Sequence, residues 1–211
     1  MSSSAPDPFL TTQHAYEADA QGWAEARNDR SAVRPYIETF AHLTGQGARV
    51  LDVGCGPGFD TVGLVKAGLA PVALDFAGAM ARLAAKQAPG AVVQSDARHL
   101  PFVAASFHGV WASASLLHLT RANVAVALQD IRRVLKAGGV LYSRMQVGEG
   151  EGIEEGRLGN PISQPRFFAR YSADDWKATL VANGFDVLEQ REEEQAAPGA
   201  RIWLNTFARQ R

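Results

Sequence analysis

Three aspartates of this 211-residue sequence stand at the ends of short apolar segments. Asp52 lies near the end of the first segment, Asp75 ends the second, and Asp96 closely follows the third. If the segments are parallel strands, their carboxyl ends meet at one edge of a sheet and the three carboxylates line one crevice. Carboxylate oxygens there would accept hydrogen bonds from hydroxyl and amino groups of a ligand.

A glycine-rich turn follows the first aspartate and separates a predicted strand from a predicted helix. Gly54, Gly56 and Gly58 allow positive φ angles and carry no side chains, so the backbone can approach a ligand closely. The helix that follows points its free N–H groups and the positive end of its dipole at the same place. A nucleotide-like cofactor is therefore the leading hypothesis. Cys55, inside the turn, is interpreted as a small residue that suits a tight turn rather than as a reactive thiol.

The spacing of the glycines narrows the choice of cofactor. The turn reads G-x-G-x-G from Gly54, which is neither the G-x-G-x-x-G of dinucleotide-binding proteins nor a P-loop with its Gly-Lys-Ser/Thr. Asp75 comes about twenty residues after Gly54, where a carboxylate can accept hydrogen bonds from both hydroxyls of a ribose. Asp96 is placed to accept a hydrogen bond from an adenine amino group.

Strands and helices alternate through most of the chain. Apolar segments predict strands over 50–53, 71–75, 91–94, 107–112, 140–147, 185–190 and 202–208, and helical periodicity predicts helices over 12–28, 31–43, 59–67, 77–87, 123–136 and 172–183. The alternation demands parallel strands with right-handed crossovers, hence an α/β fold with a doubly wound sheet covered by helices on both faces. Residues 191–200 are interpreted as a charged turn too short for a crossover helix, so the last strand must pair antiparallel with its predecessor.

Two segments fall outside this alternation. Residues 1–10 are rich in Ser and Pro and are expected to be mobile, and residues 148–165 have no clear period. A stretch this long inside a compact domain is usually a lid, a substrate loop or locally disordered. We expect a single domain over residues 1–211, in which the segment 148–171 is a lid or acceptor loop.

Composition excludes several classes of protein. Hydrophobic residues make up 46% of the chain and charged residues 20%, which is ordinary for a globular protein, and the formal net charge of −1 gives no general attraction to nucleic acid or to an anionic membrane. The N-terminus lacks the features of a signal peptide and no run reaches the length of a membrane span. We expect a cytoplasmic protein with a small-molecule substrate and no metal, whereas the sequence does not indicate its oligomeric state.

The motifs together resemble the class I S-adenosylmethionine (SAM)-dependent methyltransferases, in particular the small-molecule enzymes of the methyltransferase type 11 group, which includes quinone-biosynthesis members. The resemblance runs from about Tyr16 to the C-terminus, and its motifs stand at residues 50–58, 73–76, 94–102, 107–111, 116–118 and 134–139. It implies a Rossmann-like seven-stranded sheet of order 3-2-1-4-5-7-6 with strand 7 antiparallel. It also implies SAM as cofactor, S-adenosylhomocysteine as its product, and in-line transfer of the methyl group to an O, N, S or C atom.

The resemblance also implies which residues face the methionine part of SAM. Gly54 and Gly56 would face it through their backbone, and Asp52 would hold its ammonium group through water. The backbone at Ala112 and Ser113, just past the fourth strand, would contact the same end of the cofactor.

Roles for the nucleoside part follow in the same way. Asp75 would bind the ribose and Phe76 would lie against the adenine, whose edge would be read by Asp96 and the backbone of Ala97. The alternative for each of these aspartates is a structural role as a helix cap or a turn residue.

The N-terminal helices, within residues 12–43, cover the site in this family. Tyr16 and Trp23 would then lie near the sulfonium, where an aromatic face adds cation–π attraction, although a simple core stripe is at least as good an interpretation of Tyr16. Arg27 would pair with the methionine carboxylate, unless it is merely an exposed arginine.

The acceptor side is the least defined by the sequence. His118, after the fourth strand, is the candidate general base, and its alternative is a packing or capping role. Residues 166–171 mix aromatic rings with guanidinium groups; Arg170, Tyr171 and, at the edge of the fifth strand, Arg144 are candidates for an acceptor wall. A plain hydrophobic anchor for the next helix is the alternative.

Two other functions compete with that of an enzyme. A non-catalytic SAM-binding regulatory or assembly module would share all the cofactor motifs, so the sequence separates it poorly from a methyltransferase. An NAD-linked reductase conflicts with the glycine spacing.

Overall fold

A computed structural model describes residues 7–88, 90–155, 164–195 and 201–211 of the chain. Its main sheet has seven strands in the order β3-β2-β1-β4-β5-β9-β8, and a separate two-stranded sheet pairs β6 with β7. The strands are β1 (Arg49–Val53), β2 (Ala70–Asp75), β3 (Val92–Gln94), β4 (Phe107–Ser113), β5 (Leu135–Gln146), β6 (Glu151–Glu154), β7 (Arg166–Ala169), β8 (Phe185–Glu194) and β9 (Ile202–Gln210). With β6 and β7 set apart, this is the predicted order, and it confirms the predicted fold class.

Pairing within the sheet follows the expected pattern. The first five strands pair in parallel, whereas β9 pairs antiparallel with both β5 and β8. The helices are α1 (Pro8–Ala18), α2 (Ala20–Ala26), α3 (Arg34–Thr44), α4 (Phe59–Lys66), α5 (Gly78–Gln87), α6 (Arg121–Val134) and α7 (Ala173–Ala182), with a short 3-10 helix over Leu116–His118.

Helices cover both faces of the sheet and pack on it through their apolar side chains. One core layer packs α6 and α7 on the sheet, with Ile131 and Trp176 fully buried in it. The opposite layer packs α3 on the sheet through Phe40, against Trp111 and Tyr142, whose rings stack 3.8 Å apart. Strands β1, β2 and β4 are therefore largely buried on both faces, as their near-continuous apolar sequences require, whereas the edge strand β3 is only partly buried.

Local capping explains several helix boundaries. Ser172 caps α7 by accepting a hydrogen bond from the Asp175 amide at 3.1 Å, and Gly184, with φ +86°, follows the end of that helix. Thr120 caps α6 in the same way, accepting from the Asn123 amide. The Thr120 cap therefore makes α6 begin at Arg121, two residues before the predicted start at Asn123.

The N-terminal and C-terminal elements differ from the prediction in extent. The expected helix over 12–28 begins already at Pro8, because Asp7 caps it, and breaks at Asp19, whose side chain caps α2. Of the segment 1–10 expected to be mobile, residues 1–6 lie outside the described residues. The expected turn over 191–200 is also shorter: β8 continues to Glu194, and residues 196–200 lie outside the described residues.

The aperiodic stretch contains regular structure at both ends. β6 and β7 pair antiparallel, from Glu151 opposite Ala169 to Glu154 opposite Arg166. The middle of the stretch, residues 156–163, lies outside the described residues. The hairpin was missed because its strands are only four residues long and one carries three polar or glycine positions.

Candidate active site

A cavity opens at the carboxyl ends of β1, β2 and β4, beneath α1 and α2. The space between its lining atoms, part of which is open to solvent, measures about 1040 Å³. Most residues predicted for the site meet there: Trp23, Asp52, Gly54, Gly56, Asp75, Phe76, Asp96, Ala97, Ser113 and His118 all line it. We call the part around the aspartates and the glycine turn the donor side, and the part around His118 the acceptor side.

The glycine turn is positioned by close backbone packing. Gly54 has a φ of +73°, and a Cβ there would lie 2.3 Å from the Ser115 Cβ. Gly58, just before α4, has a φ of +93°, and a Cβ there would lie 3.0 Å from the Ala84 Cα. Side chains are excluded at both positions, which keeps the backbone of the turn at the cavity wall.

Asp75 is held by the backbone on both of its oxygens. It accepts hydrogen bonds from the Gly56 amide at 2.8 Å and from the Ala77 amide at 2.9 Å. Burial raises the pKa of Asp75 to about 6, although the hydrogen bonds from the backbone act in the opposite direction. A carboxylate oxygen accepts more than one hydrogen bond, so both oxygens keep capacity for a ligand in the cavity.

Asp52 lies deeper and is nearly sealed, with 1% of its surface exposed. Its Oδ2 accepts a hydrogen bond from the Thr61 hydroxyl at 2.6 Å. Burial, and then the nearby Asp60 carboxylate, raises the pKa of Asp52 to about 8. A cationic group next to Asp52 would favour its ionised form.

Arg30 is a cavity residue that was missed by the sequence interpretation. Its guanidinium forms a bidentate pair with Asp60, with both distances 2.6 Å, and Asp60 also accepts from the Trp111 indole at 3.1 Å. The predicted Arg27 instead stands exposed at the end of α2 and does not line the cavity. Arg30 lies in the irregular segment before α3, where no periodicity indicates which side chain points inwards.

Aromatic rings and an ion pair border the cavity beyond Asp75. The centroids of the Phe9 and Phe76 rings lie 4.2 Å apart. The Arg98 guanidinium lies over the Phe9 ring, 3.8 Å from its centroid. Asp96 is engaged by Arg98, whose Nη2 donates to it at 2.6 Å. The sequence pointed to Phe76 and Asp96, but Phe9 was assigned to a mobile segment.

Two side chains of α1 attach it to the donor side. The Glu17 carboxylate accepts hydrogen bonds from the Gly78 and Ala79 amides and so caps α5 from another helix. Gln13 donates to the Phe76 carbonyl at 3.1 Å. Helix α1 is thereby fixed to the segment that follows Asp75.

The acceptor side centres on a hydrogen-bonded chain of side chains. The Tyr16 hydroxyl lies 2.9 Å from the His118 Nε2, and the His118 Nδ1 lies 2.7 Å from the Phe167 carbonyl. A carbonyl only accepts, so Nδ1 carries the proton and Nε2 accepts from Tyr16. Arg166 donates to the same Tyr16 oxygen at 3.3 Å. Burial first, and then the Arg166 and Arg201 cations, lower the pKa of His118 to about 3, against the effect of the Phe167 carbonyl.

Four other predicted residues are not brought to the cavity. Ala112 is fully buried in the core beneath it, and Arg170 pairs with Glu154 on the hairpin. Tyr171 is buried against the Trp176 ring, with the Arg121 guanidinium over it. Arg144 lies on β5 with its guanidinium 4.5 Å from the Trp203 ring centroid.

Comparison with known proteins agrees with this architecture. Residues 51–143 match the family described as methyltransferase domain. The chain is 32% identical to O-methyltransferase rstn1 of Aspergillus nomiae over 158 residues, which are 68% of this chain and 67% of that protein. It is 36% identical to the biotin biosynthesis bifunctional protein BioHC of Cellvibrio japonicus over 132 residues, 60% of this chain but only 26% of that longer protein.

A solved structure extends the likeness in fold over the whole chain. It is the 1,6-didemethyltoxoflavin-N1-methyltransferase of Burkholderia thailandensis, whose structure contains 1,6-didemethyltoxoflavin and S-adenosylhomocysteine. The TM-score is 0.75 at 20% sequence identity, with 100% of this chain and 93% of that chain covered.

The fold, the cavity at the carboxyl ends and the family match define a SAM-dependent methyltransferase. The chain belongs to the methyltransferase-domain family, and the resemblance found in its motifs, with SAM as the cofactor, is confirmed. Within the described ranges, no helix is both long and apolar enough to cross a bilayer.

Proposed function

We propose that this protein transfers the methyl group of SAM to a small-molecule acceptor inside the cavity. The observation that supports it most is the link between Asp75 and the glycine turn, in which the Gly56 amide holds a buried carboxylate at the cavity wall. That carboxylate keeps acceptor capacity for a ribose, and the turn beside it leaves room for the methionine part.

Two features of the cavity support a fit to this cofactor. The Ser115 hydroxyl, next to Gly54, is buried and has no hydrogen-bond partner among the described residues, as expected of a group that binds a ligand. The Asp52 and Asp60 carboxylates lie where an ammonium would be stabilised, and Arg30 lies beside them for a carboxylate. We assign the ribose to Asp75 and the adenine to Phe76, Asp96 and Ala97.

Methyl transfer from SAM requires the protein mainly to position the reacting groups. Bound SAM supplies a methyl group on a sulfonium, whose transfer disperses charge, so orientation and exclusion of water provide much of the rate. Trp23, whose ring lies 3.7 Å from the position of a Gly56 Cβ, and Tyr16 close the cavity from the α1–α2 side.

The acceptor side offers a neutral proton acceptor. Burial lowers the pKa of His118 to about 3, so the imidazole is uncharged near pH 7 but is a weak base, and its Nε2 already accepts a hydrogen bond from Tyr16. We propose that the Tyr16 hydroxyl meets an acceptor with an exchangeable proton, and that His118, the predicted base, orients this hydroxyl rather than removing the proton directly.

The size of the acceptor follows from what covers the cavity. Helix α1 contacts both sides, since Glu17 caps α5 while Thr12 accepts from the Phe167 amide of β7 at 2.9 Å. A site covered in this way suits a small molecule better than a nucleic acid, and the net charge of −1 agrees with that.

Titration of the protein with S-adenosylhomocysteine and SAM by calorimetry tests the proposal. We expect binding by the wild type and a loss of affinity of about 100-fold or more for Asp75→Ala, because two charge-assisted hydrogen bonds to the ribose disappear. Asp174→Asn, at an exposed position on α7, is the control and should bind normally.

Absence of binding by the wild type would overturn the proposal. Binding followed by methyl transfer to a member of a metabolite panel would establish catalysis. Binding of SAM with no transfer to any fraction of a cell extract would favour the alternative, a non-catalytic SAM-binding module.

A further inference from the structure

The hydrogen-bonded chain on the acceptor side has a fixed direction. At one end the Phe167 carbonyl, which can only accept, lies 2.7 Å from the His118 Nδ1, so that nitrogen carries the ring proton. The His118 Nε2 is then an acceptor, and it takes the hydroxyl proton of Tyr16 at 2.9 Å. At the other end the Arg166 guanidinium, which can only donate, gives an N–H to the Tyr16 oxygen at 3.3 Å. A carbonyl and a guanidinium thus determine the position of every proton between them.

This direction leaves the Tyr16 oxygen with a single capacity toward a ligand. A hydroxyl oxygen has one proton to donate and two lone pairs that accept. His118 takes the proton and Arg166 occupies one lone pair, so one lone pair remains. Tyr16 and His118 both line the cavity. This wall of the acceptor side therefore offers a ligand a hydrogen-bond acceptor and no donor.

The chain cannot reverse without loss to serve a ligand that needs a donor. If the hydroxyl of Tyr16 turned toward the ligand, the His118 Nε2 would lose its hydrogen-bond partner. If the imidazole changed tautomer, its bare Nδ1 would face the Phe167 carbonyl at 2.7 Å, an acceptor against an acceptor. Either change leaves a polar atom unsatisfied inside the packed acceptor side, which lowers the affinity for such a ligand about tenfold or more.

The charges around this chain disfavour a cationic ligand. Arg166 is only 8% exposed, and its guanidinium lies 5.2 Å from the centroid of the Phe168 ring, which the Arg201 guanidinium approaches to 5.7 Å. Two cations therefore lie close to the wall that Tyr16 and His118 form, and an ammonium there would be repelled. The acidic residues that line the cavity all belong to the donor side: Asp52, Asp60, Asp75 and Asp96.

We propose that the methyl acceptor is a neutral molecule whose nucleophilic atom is a hydroxyl oxygen or an N–H nitrogen, and that this atom donates a hydrogen bond to the Tyr16 oxygen. The inference rests on the proposed function and narrows its class of acceptor. Tyr16 contacts the acceptor, whereas His118 and Arg166 position the phenol. An ether or a tertiary amine has no proton to donate. A carboxylate, although attracted by the Arg166 charge, meets a lone pair of Tyr16 instead of a donor.

Calorimetry on the protein saturated with S-adenosylhomocysteine tests this selectivity. The probes are matched pairs that differ by one methyl group on the reactive atom: phenol and anisole, benzyl alcohol and benzyl methyl ether, and indole and N-methylindole. S-adenosylhomocysteine lacks the transferred methyl group, so space is left for the methyl group of the second probe in each pair. We expect at least one donor to bind about tenfold more tightly than its methylated partner. Benzylammonium and benzoate should both bind more weakly than benzyl alcohol.

Two variants separate the hydrogen bond from mere packing. Tyr16→Phe should bind the two members of each pair within about twofold of each other, because the lone pair is gone. His118→Phe frees the Tyr16 hydroxyl to donate, so the methylated probes should gain affinity and the preference should fall to about threefold or less. Tyr36→Phe, whose hydroxyl makes a 3.5 Å contact with Glu193 away from the cavity, is the matched control and should keep the preference.

Nitrogen NMR of the histidine side chains keeps the test decisive if a variant does not fold. The signal that His118→Phe or the conservative His118→Gln removes should show a protonated Nδ1 and an unprotonated Nε2 in the wild type. The inference is overturned if Nε2 carries the proton, if no probe binds, if donors and methylated probes bind alike, or if benzoate binds most tightly. Failure of S-adenosylhomocysteine to bind the wild type would concern the proposed function instead, and this binding is measured first.

Discussion

The donor side and the acceptor side of the cavity are built from contacts of very different range. On the donor side, the Gly56 amide meets Asp75 across 19 positions of the sequence, and Thr61 meets Asp52 across nine. On the acceptor side, Tyr16 meets His118 across 102 positions, and Thr12 meets Phe167 across 155. One continuous β-α-β unit therefore makes the centre of the donor side, around Asp52, the glycine turn and Asp75, whereas the acceptor side exists only after tertiary packing.

This difference has a consequence for rigidity. The donor side is fixed by backbone hydrogen bonds and by glycines that have no room for a side chain. The acceptor side depends on a helix, α1, that is attached mainly through side chains such as Glu17 and Tyr16. We expect changes on the donor side to abolish binding and changes on the acceptor side to alter stability and exchange rates.

Gly54→Ala should have the largest effect of all. The new Cβ would lie 2.3 Å from the Ser115 Cβ, on a residue whose φ is +73°. We expect the free energy of unfolding to fall by about 2–4 kcal/mol and binding of S-adenosylhomocysteine to be lost. Denaturant unfolding and calorimetry measure the two effects.

Gly152→Ala is the matched control for this substitution. Nothing lies within 4 Å of the position of its Cβ. Its free energy of unfolding should change by no more than about 0.5 kcal/mol. Equal effects of the two substitutions would show that the packing of the turn is not what makes the donor side rigid.

The affinity for S-adenosylhomocysteine should fall as the pH is lowered from about 8 to 6. Below pH 8 the empty site holds Asp52 protonated, since its pKa is about 8, so an ammonium that requires the ionised form must release a proton on binding. The affinity should fall by up to about tenfold per pH unit. Calorimetry in buffers of different ionisation enthalpy measures the proton release.

Asp52→Asn provides the control for the pH dependence. It cannot ionise, so its weaker affinity should be nearly flat between pH 8 and 7, above the pKa of Asp75, which is about 6. The folded-state pKa of Asp52 is raised, so its contribution to stability is present at low pH and is lost as the pH rises through about 8. An affinity that rises on acidification would contradict the assignment of the ammonium to Asp52.

Glu17→Gln should have a moderate effect, confined to the attachment of α1. It removes the charge that caps α5 at the Gly78 and Ala79 amides, so we expect about 1 kcal/mol lower stability and faster release of S-adenosylhomocysteine. Stopped-flow fluorescence of the tryptophans measures the release. Glu25→Gln, on the exposed face of α2, should release the ligand at the wild-type rate. The same rate for Glu17→Gln and wild type would show that α1 does not control release.

Tyr16→Phe should have the smallest effect on cofactor binding. It leaves the His118 Nε2 without its donor and removes a contact of Arg166, for a loss of about 0.5–1 kcal/mol of stability. The affinity for S-adenosylhomocysteine should stay within about twofold of wild type, because Tyr16 belongs to the acceptor side. Tyr36→Phe, whose hydroxyl makes a 3.5 Å contact with Glu193 at the far face, is the comparison variant. A tenfold weaker affinity of Tyr16→Phe for S-adenosylhomocysteine would show that Tyr16 contributes to cofactor binding and so belongs to the donor side.

Sequence reasoning succeeded where the signal is local. The doubly wound fold class and the antiparallel last strand followed from alternation and from one short turn, whereas the strand order was implied by the resemblance to the family. Asp52, Asp75 and Gly56 were correctly expected at one edge of the sheet, because they lie at or just after the carboxyl ends of neighbouring parallel strands. Burial raises the pKa of the Cys55 thiol, which agrees with its interpretation as a packing residue.

The acceptor side was less predictable for a physical reason. His118 was located by its motif, but its partners Tyr16 and Phe167 come from elements more than 45 positions away, which no pattern of spacing reveals. Arg27 was named because it lies within the predicted helix 12–28, whereas Arg30 lies in the irregular segment before α3, where no periodicity indicates the direction of a side chain. The β6–β7 hairpin has strands too short and too polar for a periodic signal.

Hydrogen–deuterium exchange with and without S-adenosylhomocysteine tests the central claim most directly, because it locates the cofactor along the chain. The account predicts slower exchange in peptides covering residues 53–58, 75–79 and 95–97 and in α1, with no change in β8. Protection of α1 would further show that closure of the cavity accompanies binding. Binding accompanied by protection elsewhere, with the glycine turn and residues 75–79 unchanged, would contradict the account.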